Sequence, residues 1–309
     1  MALDVRPIIP SRFFGHKTRG AAPSSRIGAY IALMKLRVVE LLLVTTIPTM
    51  VLAEGGWPSI QLMAVTLIGG TLAAGGANAI NMYIDRDIDK LMVRTQNRPL
   101  VTGALTPRAA MIFAIALEFV AVLVLWAGAN LLAAVLAVSA TLFYVFVYSL
   151  WLKRTSKQNI VIGGAAGAMP VLVGWAAVTN SLGWAPVVLF IVIFLWTPPH
   201  FWALAIRHAD DYKAAGVPMM PVVVSLERTV RSMTTYAVLL TLSTLVLVPV
   251  AELGWIYGIT ALVFGVAFVI GSVRLGSDPS PKRSMRLFTF SITYVTAVFV
   301  ALTVDVLLR

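Results

Sequence analysis

Apolar runs long enough to cross a bilayer recur along almost all of this chain, and that pattern excludes most folds open to 309 residues. They fall at roughly 29–53, 60–83, 108–127, 130–150, 159–179, 184–206, 232–252, 255–273 and 286–307. None alternates apolar with polar residues as the strands of a closed barrel would, so the spans are helical. The composition agrees: 59% of residues are apolar, 12% are charged, and mean hydropathy is +0.90. The expected fold is an all-α polytopic membrane protein with nine transmembrane helices. Turns such as Glu54-Gly-Gly-Trp-Pro58 and Asn180-Ser-Leu-Gly183 separate some of the spans. Cysteine is absent, which excludes disulfide and thiolate chemistry.

The net charge of +11 is unevenly spread. Residues 1–28 carry Arg6, Arg12, Lys17, Arg19 and Arg26 against one acid, Asp4, and read as a basic, mobile tail. They lack the apolar core of a secretory signal. Residues 29–309 form a single intramembrane domain. The loops near 84–107, 151–158, 207–231 and 274–286 hold nearly all the remaining Lys and Arg, and the loops between them hold none. By the positive-inside rule, the N-terminus and the basic loops are cytoplasmic and the C-terminus lies outside. Topology accounts for the basic residues, so no nucleic-acid partner is expected; the partner is the lipid bilayer.

Charge is concentrated where the second span meets water, in the stretch from Asn78 to Pro99. If the helix continues, Asn81, Asp85 and Asp89 recur every four residues and share one face, with Asn78 one turn earlier. Asp87 is rotated away. Two carboxylates and a carboxamide make an oxygen-rich site for a hard cation such as Mg²⁺. Lys90, Arg94 and Arg98 follow at once and suit phosphate oxygens. Together they fit a diphosphate substrate better than the simpler alternative, a solvated helix end.

The sixth span ends in a second acidic cluster on the same side, Asp210-Asp211-Tyr212-Lys213. Asp210 or Asp211 could hold a second metal and Lys213 a phosphate. An ordinary solvated loop is the competing reading. If one regular helix runs from His200 to Asp211, the two share a face, with Arg207 beside them. Pro198 and Pro199 are expected to break that helix just above. His200 is open to three readings: an iron ligand, a proton shuttle or a core histidine bonded to a neighbour. In the first span Glu40 is the better cavity candidate. Lys35 and Arg37 either snorkel or reach a bound anion. Glu118 pairs with a neighbouring helix.

The two clusters resemble the Asp-rich motifs of the UbiA-type intramembrane prenyltransferases. The pattern Asn81-xxx-Asp85-xxx-Asp89, followed by Arg94-Thr-xx-Arg98-Pro99, is specific to that superfamily. Within it, Asn81 to Asp89, Asn159 to Ala168, Trp196-Thr-Pro-Pro-His-Phe-Trp202 and Asp211 to Pro218 are similar to the branch that farnesylates protohaem IX. The likeness runs from about residue 30 to the end. It implies a helix bundle around a central cavity open sideways to lipid, with diphosphate and Mg²⁺ at the cytoplasmic end. Asn81, Asp85 and Asp89 carry over as first-motif metal residues, and Asp211 with Asp210 as second-motif ones. Lys90, Arg94, Arg98, Lys153, Arg154, Lys213 and Tyr148 carry over as diphosphate contacts. Many members have an Asp four residues before the second-motif acid, where this chain has Arg207, and a Pro where it has Leu36.

The resemblance also implies the reaction. Farnesyl passes from farnesyl diphosphate to a vinyl group of haem b, water adds, and haem O leaves with diphosphate; Glu40 or His200 binds haem or places the water. The implied setting is the inner cell membrane, and the implied partners are the next enzyme of haem A synthesis or terminal oxidase assembly. The alternatives are a superfamily member acting on an aromatic quinone precursor, and a transporter. The His200 segment argues against the first. Acids crowded at one membrane face argue against the second, since transporters bind near the midplane.

Overall fold

The computed structural model describes residues 25–309, apart from the side chains of residues 37, 38 and 40–43. The expected tail, up to residue 24, lies outside the described residues. In order, the main helices are α1 (Arg26–Met34), α2 (Leu36–Glu54), α3 (Ile60–Ile84), α4 (Pro107–Gly128), α5 (Leu131–Thr155), α6 (Asn159–Thr179), α7 (Trp184–Arg207), α8 (Leu226–Val250), α9 (Trp255–Ser277) and α10 (Pro281–Leu307). No strand occurs among the described residues. Eight helices, α3 to α10, are long and apolar enough to cross a membrane. Helices adjacent in sequence pack side by side from α3 to α10, and α10 returns to pack against α2.

The first expected span is not one helix. It breaks at Lys35, which takes the left-handed conformation at φ 51° and ψ 52°. That costs a non-glycine residue on the order of 1 kcal/mol or more. Contacts with α3 hold it: the Lys35 ammonium donates to Asn81 Oδ1 at 2.9 Å, and Asn78 Nδ2 donates to the Met34 carbonyl at 3.1 Å. Pro198 and Pro199 do not break α7, which runs through both. Residues Trp196 to His200 are all buried, and packing there outweighs the local cost of proline. Helices α8 and α10 start earlier than hydropathy suggests. The hydroxyls of Ser225 and Ser280 accept from the Arg228 and Arg283 amides and cap first turns that are too polar to register as membrane span.

The bundle has two unlike halves. Around α7 to α10 the core is filled by Trp202, Tyr257, Phe268, Tyr294 and Phe299. Between α3, α4, α5 and α6 it is built from alanines such as Ala73, Ala121, Ala134, Ala137 and Ala176. Small residues let these helices approach closely. A Cβ on Gly69 of α3 would come within 2.5 Å of Leu125 Cγ on α4, and one on Gly128 of α4 within 2.5 Å of Val65 Cγ1 on α3. Small residues of this side, Ala73, Ala74, Ala77, Ala137 and Ala140 among them, line a cavity.

At the end of the bundle away from the acidic clusters, Asp305 of α10 caps α9. Its carboxylate accepts from the Gly254 amide at 2.7 Å and the Tyr257 amide at 2.9 Å, and Arg309 pairs with it at 3.2 Å. Asp305→Ala leaves two amides of the first turn without their acceptor. It should lower stability by about 2 kcal/mol, read as a drop in the thermal midpoint in detergent. Activity per folded molecule should not change.

Candidate active site

The acidic stripe does not lie on one helix. Helix α3 ends at Ile84, and Ile88–Lys90 forms a separate 3-10 turn. The four-residue rhythm survives in two hydrogen bonds: the Asp85 amide donates to the Asn81 carbonyl at 2.9 Å, and the Asp89 amide to the Asp85 carbonyl at 2.8 Å. Asn81, Asp85 and Asp89 therefore stay on the inner side, with 2%, 0% and 0% exposure. Asp87 turns outward onto the Arg154 guanidinium, with both N–H···O contacts at 2.7 Å. That pairing holds the Asp87 carboxyl well below the usual carboxylate range.

Each inner carboxylate is half satisfied. Asp85 Oδ2 accepts from Asn81 Nδ2 at 2.9 Å and from the Lys153 ammonium. Asp89 Oδ2 accepts from Arg98 Nη1 at 2.6 Å. The other oxygen of each, Oδ1, is buried and has no hydrogen-bond partner. A buried unpaired carboxylate oxygen is costly. It marks where a cation or a donor on a substrate fits. Asn81 also donates to Ser149 Oγ at 3.0 Å. Beyond Asp89, the Thr95 hydroxyl closes the turn on the Asp89 carbonyl at 2.7 Å.

Lys153 reaches this site because α5 changes winding. Residues Phe143–Leu152 form a π-helical stretch, and Ser149 Oγ donates to the Tyr144 carbonyl at 2.9 Å. In an α-helix Tyr144 and Lys153, nine residues apart, lie half a turn away from each other at 100° per residue. The wider π turn brings them to one wall. Tyr144, Tyr148 and Lys153 all line the cavity, and the two tyrosine rings stack with centroids 5.3 Å apart.

The second cluster is not on an extension of α7. The helix ends at Arg207, and Ala209–Ala214 begins a new one. Asp211 accepts from the Val93 amide at 3.2 Å and the Arg94 amide at 3.3 Å, so it clamps the loop that follows Asp89. Arg94 Nη2 donates to Tyr212 Oη at 3.4 Å, and its guanidinium carbon lies 5.7 Å from that ring's centroid. His208 stands 4.0 Å from Asp211. Partial burial, and then the Arg94 charge, push its imidazole below the usual range. Asp210, Arg207, Lys213 and Lys90 are exposed.

Of the five expected metal residues, Asn81, Asp85 and Asp89 lie buried together, Asp211 meets the amides of the following loop, and Asp210 is exposed. Among the described residues no group of three or more His, Asp or Glu could hold a metal ion by itself. The structure joins Asn81, Asp85 and Asp89 with Lys153, Arg98 and Lys35. Asp211 accepts from loop amides, and Arg154 pairs with Asp87. The cavity, about 380 Å³, has its polar end at Lys35, Asn81, Asp89, Arg94, Arg98 and Lys153, and mostly apolar walls from α2, α3, α5, α6 and α7.

His200 stands behind the α7 wall. Its ring is stacked between Trp196 and Phe288, with centroids 4.2 and 4.4 Å away, and Nδ1 is 2.6 Å from Ser291 Oγ. Ser291 Oγ already donates to the Phe288 carbonyl at 2.6 Å, so Nδ1 carries the proton. Of its three sequence readings, this geometry matches the core histidine bonded to a neighbour. The Glu40 and Arg37 side chains lie outside the described residues. Glu118 accepts from Thr141 of α5 at 3.2 Å, a neighbouring helix as expected. Ser149, Tyr144 and Tyr212 gave no sequence signal of their own.

Comparison with known proteins places this geometry. The UbiA prenyltransferase family matches residues 42–296. A protoheme IX farnesyltransferase of Parafrankia sp. (strain EAN1pec) is 54% identical over 293 residues, covering 94% of each chain. One from Frankia casuarinae is 53% identical over 290 residues, covering 92% of this chain and 99% of the relative. Among solved structures, one of a digeranylgeranylglyceryl phosphate synthase superposes with a TM-score of 0.76 at 18% identity, covering 92% of this chain and 99% of that one. A UbiA homolog from Archaeoglobus fulgidus bound to DMAPP and Mg²⁺ gives 0.62 at 19% identity, covering 89% and 99%. At such identities the structures share the fold alone. The match over residues 42–296, together with relatives about half identical along nearly their whole length, shows that this chain belongs to the UbiA prenyltransferase family.

Proposed function

We propose that this protein transfers the farnesyl group of farnesyl diphosphate to a vinyl group of haem b, with addition of water, giving haem O and diphosphate. One observation carries the chemistry: two buried carboxylates each keep an unpartnered oxygen at the cation-lined end of an apolar cavity, Asp89 lining it and Asp85 held just behind on the lining residues Asn81 and Lys153. The acceptor follows from the relatives, which are protoheme IX farnesyltransferases.

Oxygen ligands fit Mg²⁺, which is commonly held by one or two carboxylates together with substrate phosphates rather than by a full protein cage. Asp85 and Asp89 would hold it, with Asn81 beside them, and it would supply positive charge to the leaving diphosphate. Lys35, Arg94, Arg98 and Lys153 bind the diphosphate oxygens and stabilise charge as the carbon–oxygen bond breaks. The electron pair leaves with diphosphate. The apolar walls keep bulk water from the allylic cation until the vinyl group captures it. The vinyl π electrons form the new carbon–carbon bond. Water then adds to the adjacent carbon and loses a proton to solvent. Asp211 acts one step back, by fixing the Arg94 loop. Trp196 and Phe201 form the α7 wall offered to the acceptor, and His200 stiffens that wall. The charged end faces the cytoplasm across the inner membrane, in keeping with the basic loops.

The test is the product. Purified protein incubated with Mg²⁺, labelled farnesyl diphosphate and haem b should yield a haem heavier by one farnesyl and one hydroxyl group, and should release diphosphate. Label found instead on an aromatic acid offered in parallel, or no metal-dependent diphosphate release, overturns this reading.

A further inference from the structure

The cavity wall on α3 has one bare position deep in the membrane. Gly70 lines the cavity, and a Cβ built on it would meet nothing within 4 Å. It lies within α3 and its φ is not positive, so neither packing nor backbone conformation calls for glycine there. Glycine inside a helix costs about 1 kcal/mol relative to alanine. What its missing side chain provides is room.

The depth of that room matches a specific ligand. Gly70 precedes Asn81 by eleven residues on one helix, about 16 Å along the axis. A farnesyl main chain of twelve carbons spans about 14 Å when extended, with bonds of about 1.5 Å. With its diphosphate at the Asn81 end, the terminal isoprene unit comes to rest beside Gly70. One turn deeper Thr66 and Leu67 line the cavity with larger side chains.

We infer that Gly70 sets prenyl chain length, by leaving space for the third isoprene unit above the larger side chains of Thr66 and Leu67. This rests on the prenyl-transfer reading. Gly70→Leu tests it, because the four-carbon side chain takes up about one isoprene unit, and leucine favours the helix. Turnover of farnesyl and geranyl diphosphates with haem b is measured on the wild type, Gly70→Ala and Gly70→Leu. The farnesyl-to-geranyl ratio of kcat/KM should fall at least about tenfold in Gly70→Leu, with Gly70→Ala in between. An unchanged ratio, with geranyl and farnesyl turnover falling together or not at all, overturns it. Binding of unreactive farnesyl and geranyl thiodiphosphates gives the same ratio without an acceptor. Failure to prenylate haem would then sink the proposed reaction without deciding the length test.

Discussion

Asp85→Asn should lower turnover by about a thousandfold, with most of the loss in kcat. The side chain keeps its shape but loses its charge, and the oxygen now left unpartnered in the wild type becomes part of a neutral amide. Lys153 then stays buried without its counterion, which costs on the order of 3–5 kcal/mol. Stability in detergent and binding of a prenyl thiodiphosphate must therefore be measured beside the rate. Asp87→Asn is the control two residues on. Asp87 is exposed and paired with Arg154 outside the cavity, so the rate should hardly move. Near-normal turnover by folded Asp85→Asn would remove the metal role from the first motif.

Asp211→Ala should raise the KM for farnesyl diphosphate by about a hundredfold while leaving the Mg²⁺ dependence of kcat unchanged. Its carboxylate accepts two backbone N–H groups from the loop that carries Arg94. Charge-assisted bonds of this kind contribute about 1.5–3 kcal/mol each. Their loss frees the guanidinium from its place over Tyr212. Asp211→Asn can still accept one of the two bonds and should fall between wild type and alanine. A shift in Mg²⁺ dependence as large as that of Asp85→Asn would instead make Asp211 a direct metal residue, and the clamp reading would fail.

The contrast between these two acids shows what the sequence could reveal. Membrane helices were legible because apolar surface in lipid imposes length and pattern locally. The Asn81-Asp85-Asp89 stripe was legible as well, since its four-residue spacing is realised by consecutive backbone bonds even though the helix ends at Ile84. What spacing could not show were partnerships between distant segments. Lys35 breaks the first span because Asn78 and Asn81 hold it, forty-odd residues away. The line from His200 to Asp211 was drawn on one regular helix, but the chain turns at His208 and brings the Asp211 carboxylate to amides 117 and 118 residues earlier in sequence. The two prolines of α7 were read by local propensity, and tertiary packing overrode it.

The widened winding of Phe143–Leu152 reaches beyond this chain. A helical wheel drawn at uniform pitch would put Lys153 on the opposite side from Tyr144 and send it toward neighbouring helices or lipid. Carrying substrate-facing positions between relatives by such a wheel would thus mislabel every residue after the loose turns. A one-residue gap in an alignment of this segment then signals a rotated wall and a changed charge in the pocket, where it would otherwise pass for harmless drift in a lipid-facing rod.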